Sequence, residues 1–254
     1  MSQYEFVDTG PTIVGSGVMR IVEKFRFGEF DSSDYGWWLV DRSAPSPGEK
    51  VIAESIPYMQ GVLDFSTIGN DRFFNNRDVT YQIKKVGYGY ADRKVYENEL
   101  KNKLMPQGIQ VIKDTHEDGL HWLGKCKSIT VTDEQSKQYL TATIVFDCYP
   151  FAIGNLTEGN DIWDETFFPD WVFQNTTYTV NGSQTINLLN IGAKSVEVEI
   201  IVTGNVDLSG TFGKIKLSAG TYRDTEVVIY RGDNSLVLSG KGTIEFKFYK
   251  EVMI

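Results

Sequence analysis

A mostly β chain of two domains is what the sequence predicts, with one helix and a projecting arm in the first domain. Three observations carry the prediction. Short stretches of alternating apolar and polar residues recur along the chain; Gly and Asn turn signals separate them after Pro150; and one segment alone has helical start and stop signals.

The length of 254 residues suits one large or two smaller domains, and 41% hydrophobic with 23% charged residues is a globular composition. The 15 Phe, 13 Tyr and 5 Trp favour strands and interfaces. The first ten residues contain Glu5 and Asp8 and no apolar run, unlike a secretory signal, and no apolar stretch reaches the roughly 18 residues that span a bilayer. A cytoplasmic site of synthesis, no membrane insertion and free thiols at Cys126 and Cys148 are the expectations. The net charge of −9 is shared by both halves, which excludes a basic nucleic-acid reader.

In chain order, Arg20 to Phe27, Trp37 to Asp41 and Val79 to Val86 read as strands. Pro45, Pro47 and Gly48 bar the segment between Val40 and Ile56 from a central strand. A long loop or a projecting arm fits it better, and the arm is preferred, with Trp37 and Trp38 as its anchors and Ala44, Pro45, Ser46, Pro47, Gly48, Glu49 and Lys50 reaching a neighbour. Asp92 is a plausible N-cap for a helix through Leu104, with Lys101 and Lys103 near the negative end of its dipole and Pro106 as its stop. Val95, Leu100 and Leu104 give that helix a narrow apolar stripe. Leu140, Ala142, Ile144, Phe146 and Cys148 share one face of a strand by the two-residue period, with Asp147 on the other. Cys148 is therefore expected to be a small core residue, not a nucleophile. Pro150 ends the ladder, and the domains are read as 1–150 and 151–254.

Beyond Pro150, Val196, Val198, Ile200 and Val202 alternate with Glu197 and Glu199, and Ile244, Phe246 and Phe248 repeat the pattern. Asn181-Gly182 has the residues of a type I′ hairpin turn. Strands at this spacing predict an antiparallel sandwich.

Catalytic and metal motifs are weak. His116 and His121 stand five apart, about 140° round a helix, where the zinc protease pattern needs four, and Asp118-Gly119 between them marks a hairpin tip. Gly87 and Gly89 begin a dinucleotide fingerprint, but Asp92 stands where its third glycine belongs. There is no nucleophile elbow or phosphate loop. The sequons at Asn155, Asn175 and Asn181 are chance matches without a secretion signal. Trp163 and Trp171 have the chemistry to stack on sugar rings, although core or subunit contacts are the commoner use. No enzyme activity, cofactor or metal is expected.

Several motifs, in order, resemble the distal tail protein (Dit) family of phages with long non-contractile tails that infect Gram-positive bacteria. Ile56, Pro57, Gly61, Leu63 and Asp64, then Phe74, Asn76, Arg77 and Val79, match its "I-P-x-x-x-G-x-L-D … Y/F-x-N-R-x-I" region. Trp122, Gly124 and Lys125 resemble its aromatic-x-Gly-Arg strand start, and Phe146, Pro150 and Phe151 its first-domain end. Gly232, Asn234 and Leu236, with Gly240, Gly242 and Ile244, resemble its "G-x-N-x-L … G-x-G-x-I" finish. The family often has Gly where Tyr58 stands and Arg where Lys125 stands.

The resemblance implies an N-terminal ring-forming β-sandwich domain and a C-terminal galectin-like antiparallel β-sandwich. It implies a homohexamer, as one ring or stacked rings, at the distal end of a phage tail. Its partners would be the tail tube protein, a tail-tip or tail-associated protein and a baseplate or receptor-binding protein, with a channel for DNA and no sequence-specific nucleic-acid binding. The alternative is a carbohydrate-binding adhesion module that contacts the host cell wall directly. A galectin site uses a His, and residues 151–254 contain none, so scaffold contact is the preferred role of the second domain.

Overall fold

Aromatic side chains organise the first core. Phe25, Phe27, Tyr81 and Phe146 are fully buried, with ring centroids 5.2 Å apart for Phe25–Tyr81, 5.0 Å for Phe27–Phe146 and 5.7 Å for Tyr81–Phe146. The computed structural model describes residues 13–14, 18–19, 23–66, 72–86, 90–133, 139–159 and 172–254. Trp163, Trp171, Gly87 and Gly89 lie outside the described residues. The described residues form two compact units. One comprises those up to Ser66, Arg72–Pro150 and Ile254; the other lies within Phe151–Met253.

Strands β1 (Ile13–Val14) and β2 (Val18–Met19) pair with each other. The main sheet of the first unit contains β3 (Phe25–Phe27), β4 (Phe30–Asp31) and β5 (Trp37–Ser43). A separate two-stranded ribbon follows, β6 (Ala53–Glu54) with β7 (Leu63–Asp64). Then come β8 (Arg77–Val86), helix α1 (Arg93–Leu104), β9 (Gln110–Asp114), β10 (Leu120–Asp133) and β11 (Tyr139–Cys148). The main sheet runs β4-β3-β9-β10-β11-β8-β5, each pair antiparallel. The path returns on itself, because the Leu39 N–H of β5 donates to the Glu23 carbonyl just before β3, at 2.9 Å.

Period-two alternation decides what this sheet buries. In β11, Leu140, Ala142, Ile144, Phe146 and Cys148 are at most 2% exposed, and Asp147 faces out toward Lys125 at 3.8 Å. Asp92 takes the N-cap position of α1 without a side-chain cap bond. Only Leu100 and Leu104 of the expected stripe are buried, whereas Val95 is 61% exposed. Glu97 bridges Lys94 and Lys101 on the outer face of α1 at 2.5 and 2.6 Å, the spacing at which helix neighbours meet. No helix among the described residues is long and apolar enough to cross a membrane.

In the second unit, β12 (Ala152–Gly154) pairs with β19 (Glu251–Val252), and β14 (Val196–Glu197) with β17 (Val228–Ile229). The large sheet has β13 (Thr177–Asn190), β15 (Glu199–Gly210), β16 (Gly213–Tyr222) and β18 (Gly232–Lys247), in the order β13-β18-β15-β16. Val196, Val198, Ile200, Val202, Ile244, Phe246 and Phe248 all enter its core, as their alternation predicts.

The hairpin expected at Asn181-Gly182 is not formed. β13 continues through it, with Asn181 opposite Lys241 and Gly182 opposite Gly240 of β18. The positive φ of Gly182 (103°) is used inside a strand, in line with Gly240 (124°) and Gly204 (91°) on its neighbours. A line of glycines thus crosses the sheet at mid-length, and β15 and β16 shift register beside it. In β13, β15 and β18 the same face is buried on both sides of that line, so these strands wrap one core. Gly242 belongs to the same crossing, where an added Cβ would lie 2.1 Å from the Thr203 carbonyl oxygen. Gly242→Ala is therefore expected to lower stability by about 1–3 kcal/mol in chemical denaturation, the usual cost of overpacking. Asn234 closes the turn before β18: its side chain accepts from the Tyr230 N–H at 2.8 Å and donates to the Tyr230 carbonyl at 2.7 Å.

Candidate assembly interface

Between β5 and β8 the chain leaves the sheet as a ribbon. Its root is tied by backbone bonds from Lys50 N–H to the Phe73 carbonyl and from Asn75 N–H to the Gly48 carbonyl, both 2.8 Å. Arg72 adds a bidentate pair to Glu49, at 2.9 and 2.5 Å, and its guanidinium lies 5.5 Å from the Phe74 ring centre. Further out, the Phe65 N–H meets the Ile52 carbonyl at 2.8 Å, and Ser66 Oγ accepts from Ile52 N–H at 2.8 Å. Asp64 accepts the Ser66 N–H at 2.8 Å, and the Ser66 hydrogen bonds hold its carboxyl below the usual carboxylate range.

The tip follows the Ile56-to-Asp64 motif residue by residue. Pro57 fixes φ, the Met59 N–H closes a turn on the Ile56 carbonyl at 3.1 Å, and Gly61 takes the left-handed φ of 83° that favours glycine. Every residue from 51 to 65 is exposed. Among them are Val51 at 68%, Tyr58 at 109% and Val62 at 59%, with Ile52, Ile56, Met59, Leu63 and Phe65 between 39% and 45%. Contiguous exposed apolar side chains of this kind mark interaction sites on protein surfaces in general.

The residues expected to form the arm lie at its root. Pro45, Ser46, Gly48 and Lys50 are exposed, Ala44 and Glu49 half-buried, and Pro47 buried. Trp37 is 1% exposed and packs in the core with Lys85 above its ring, so it holds β5 from within and has no surface to offer a second copy. Trp38 points to the opposite face and is half-buried, its Nε1–H shielded from solvent and without a hydrogen-bond partner in the chain. Sequence reasoning placed the loop or arm between Val40 and Ile56, with Ala44 to Lys50 reaching a neighbour, and did not extend it to Phe65. The signal was present as apolar residues interrupted by Glu54, Ser55, Pro57, Gln60, Gly61 and Asp64, with no regular two-residue alternation to give the segment a buried side.

Arg42, two residues before the arm, fixes its exit. Its Nη1 lies 3.5 Å from Asp114 Oδ2 and its Nη2 2.5 Å from Glu117 Oε2. The Asp114 side chain, 2% exposed, also accepts the Tyr81 hydroxyl at 2.7 Å and the Glu117 N–H at 3.0 Å. Burial pulls the Arg42 pKa down, but the Glu117 hydrogen bond and the charges of Asp114 and Glu117 outweigh it and leave the pKa raised. Burial first, then the charge of Asp114, pushes the Tyr81 hydroxyl well above 10. Nearby, Arg77 of the Asn76-Arg77 motif stacks over Trp122 at 4.3 Å.

Little here resembles a reactive centre. His116 sits in the β9–β10 turn, 3.6 Å from Glu23, and His121 lies in β10 beyond it. Among the described residues no three of His, Cys, Asp and Glu gather as a metal site. Both cysteines are free and buried; burial pushes the Cys126 thiol up to about 11 and the Cys148 thiol up to about 12. Neither is expected to react with iodoacetamide at pH 8 in the folded chain, whereas both do so after denaturation, a difference that mass spectrometry reads directly.

No family model and no curated protein matches the chain. Solved structures do. The crystal structure of the SPP1 Dit (gp 19.1) protein, described as a paradigm of the hub adsorption apparatus in Gram-positive infecting phages, superposes with a TM-score of 0.61. The match covers 90% of this chain and 99% of that one, at 13% identity. The chain has the distal tail protein fold. The phage p2 baseplate in its activated conformation matches less closely, with TM-scores of 0.39 (Sr) and 0.41 (Ca), each at 8% identity. These matches cover 90% and 92% of this chain and 98% and 99% of the baseplate chains.

Proposed function

We propose that this chain is a structural virion protein at the distal end of a non-contractile phage tail. Six copies close into a ring, single or stacked, that joins the tail tube to the tail-tip and baseplate proteins of host recognition and leaves a channel for DNA. The observation that carries this reading is the apolar ribbon from Val51 to Phe65, hydrogen-bonded in shape yet exposed along its whole length, on a chain with the distal tail protein fold. The net charge of −9 per chain suits a channel that DNA phosphates pass without sticking. The work of such a protein is geometric, and it needs no catalytic group.

Light scattering of the purified chain tests the proposal. A species of six times 28.7 kDa, or a stacked double of it, is expected. A monomer at all concentrations, with and without tail tube protein, contradicts the ring. A monomer that also binds cell-wall saccharide supports the adhesion module instead.

A further inference from the structure

We propose that Asn181 is a self-modification site, at which the backbone nitrogen of Gly182 closes on the side-chain amide and converts the asparagine to aspartate or isoaspartate. Asparagine is a thermolabile side chain, and Asn181-Gly182 is the single Asn-Gly step in the chain. A glycine after asparagine has no Cβ to block the ring closure. Here the surroundings are open as well: both residues are exposed, and a Cβ built on Gly182 would meet nothing within 4 Å. With Gly182 at φ 103°, β13 departs at this point from regular strand geometry.

Position in the fold separates this asparagine from the others. β13 is an edge strand, bonded among the described residues to β18 alone, so part of its backbone has no strand on the outer side. Among the described residues the Asn181 side chain has no hydrogen-bond partner. Asn234, followed by the small Ser235, is the next candidate by sequence. Its Nδ2 donates to the carbonyls of Leu188, Tyr230 and Gly232 at 3.2, 2.7 and 2.9 Å, which holds the amide away from ring closure. Asn187 is tied to Asp233 at 2.8 Å, and Asn190 is buried.

The reaction balances with water as the co-reactant. The Gly182 nitrogen loses its proton and bonds to Asn181 Cγ; the Cγ–Nδ2 bond breaks, and ammonia leaves with that proton. Water then opens one of the two C–N bonds of the cyclic imide. Opening at Cγ gives aspartate on the original backbone. Opening at the Asn181 backbone carbonyl gives isoaspartate, whose main chain runs through the former side chain and is one methylene longer. The two products differ in the fold. Residue 181 lies opposite Lys241 of β18, so aspartate gains an opposite-charge cross-strand pair. Isoaspartate lengthens β13 beside the glycine crossing and cannot keep register with β18 on both sides of it.

The test is the full-length folded chain, incubated in warm, mildly alkaline buffer and sampled over time. In peptide mass spectrometry the peptide holding Asn181 is expected to gain one mass unit before any other asparagine does, and faster as the pH rises, because the attacking nitrogen must lose its proton. Isoaspartyl methyltransferase is expected to label the same peptide. Asn181→Gln, whose longer side chain cannot close the five-membered ring, is expected to lose both signals with the fold intact. Modification of Asn181 only after unfolding in urea, or of another asparagine first, overturns the proposal. The isoaspartyl fraction is expected to unfold at a lower urea concentration than Asn181→Asp; equal midpoints overturn the consequence drawn for the sheet.

Discussion

Replacing residues 53–64 by two glycines is expected to leave a folded chain that no longer assembles. Every deleted residue is exposed, and the root bonds of Lys50 to Phe73 and Asn75 to Gly48 remain, as does the pairing of Ser43 with Thr80. The melting temperature is therefore expected to move by less than ~3 °C, within about 1 kcal/mol for a chain of this size. Association loses Ile56, Tyr58, Met59, Val62 and Leu63 together. Each is worth about 1.5–3 kcal/mol when fully buried, before the entropic cost of joining copies is subtracted. Loss of that sum removes the oligomer at micromolar concentration, as light scattering reports. An oligomer of unchanged mass would show that the ribbon is not the joint.

Arg42→Ala is expected to act on the fold itself. It leaves Asp114 buried beside Tyr81 without its cation, and removing one partner of a buried pair costs about 3–5 kcal/mol. Pairing it with Asp114→Asn is expected to return part of that loss in urea denaturation, because the uncompensated charge is gone; a double variant no more stable than Arg42→Ala would refute the account. Tyr81 adds a pH signature. Its folded pKa is raised above 10 by burial and then by the charge of Asp114. Its contribution is fully present below pH 10 and is lost as pH rises above it, because the unfolded tyrosine ionises first. Tyr81→Phe is expected to flatten that alkaline decline.

Strand rows such as Leu140 to Cys148 were legible because a two-residue period reports directly which side of a strand is buried. The same logic placed Ile244, Phe246 and Phe248 in the second core. Asn181-Gly182 misled because a positive φ serves a glycine crossing inside a strand as well as it serves a hairpin, and only the partner Gly240 on β18 separates the two uses. The arm was legible at its proline-rich start. The exposure of its outer part was not, since Val51, Ile52, Ile56, Val62, Leu63 and Phe65 are residues of the kind that fill cores, and a sequence does not say which of them the fold leaves uncovered. Trp37 and Trp38 illustrate the reverse: adjacent and chemically identical, they face opposite sides of β5, one in the core and one outside. Arg42 and Asp114 are distant in sequence and met only through the sheet.

Electron microscopy of the purified particle, with enough detail to trace one chain, tests the central claim most directly. The account predicts closed six-membered rings in which the ribbon of each copy, from Val51 to Phe65, lies against the first unit of its neighbour. Isolated single chains, or rings whose ribbons contact no adjacent copy, would contradict it.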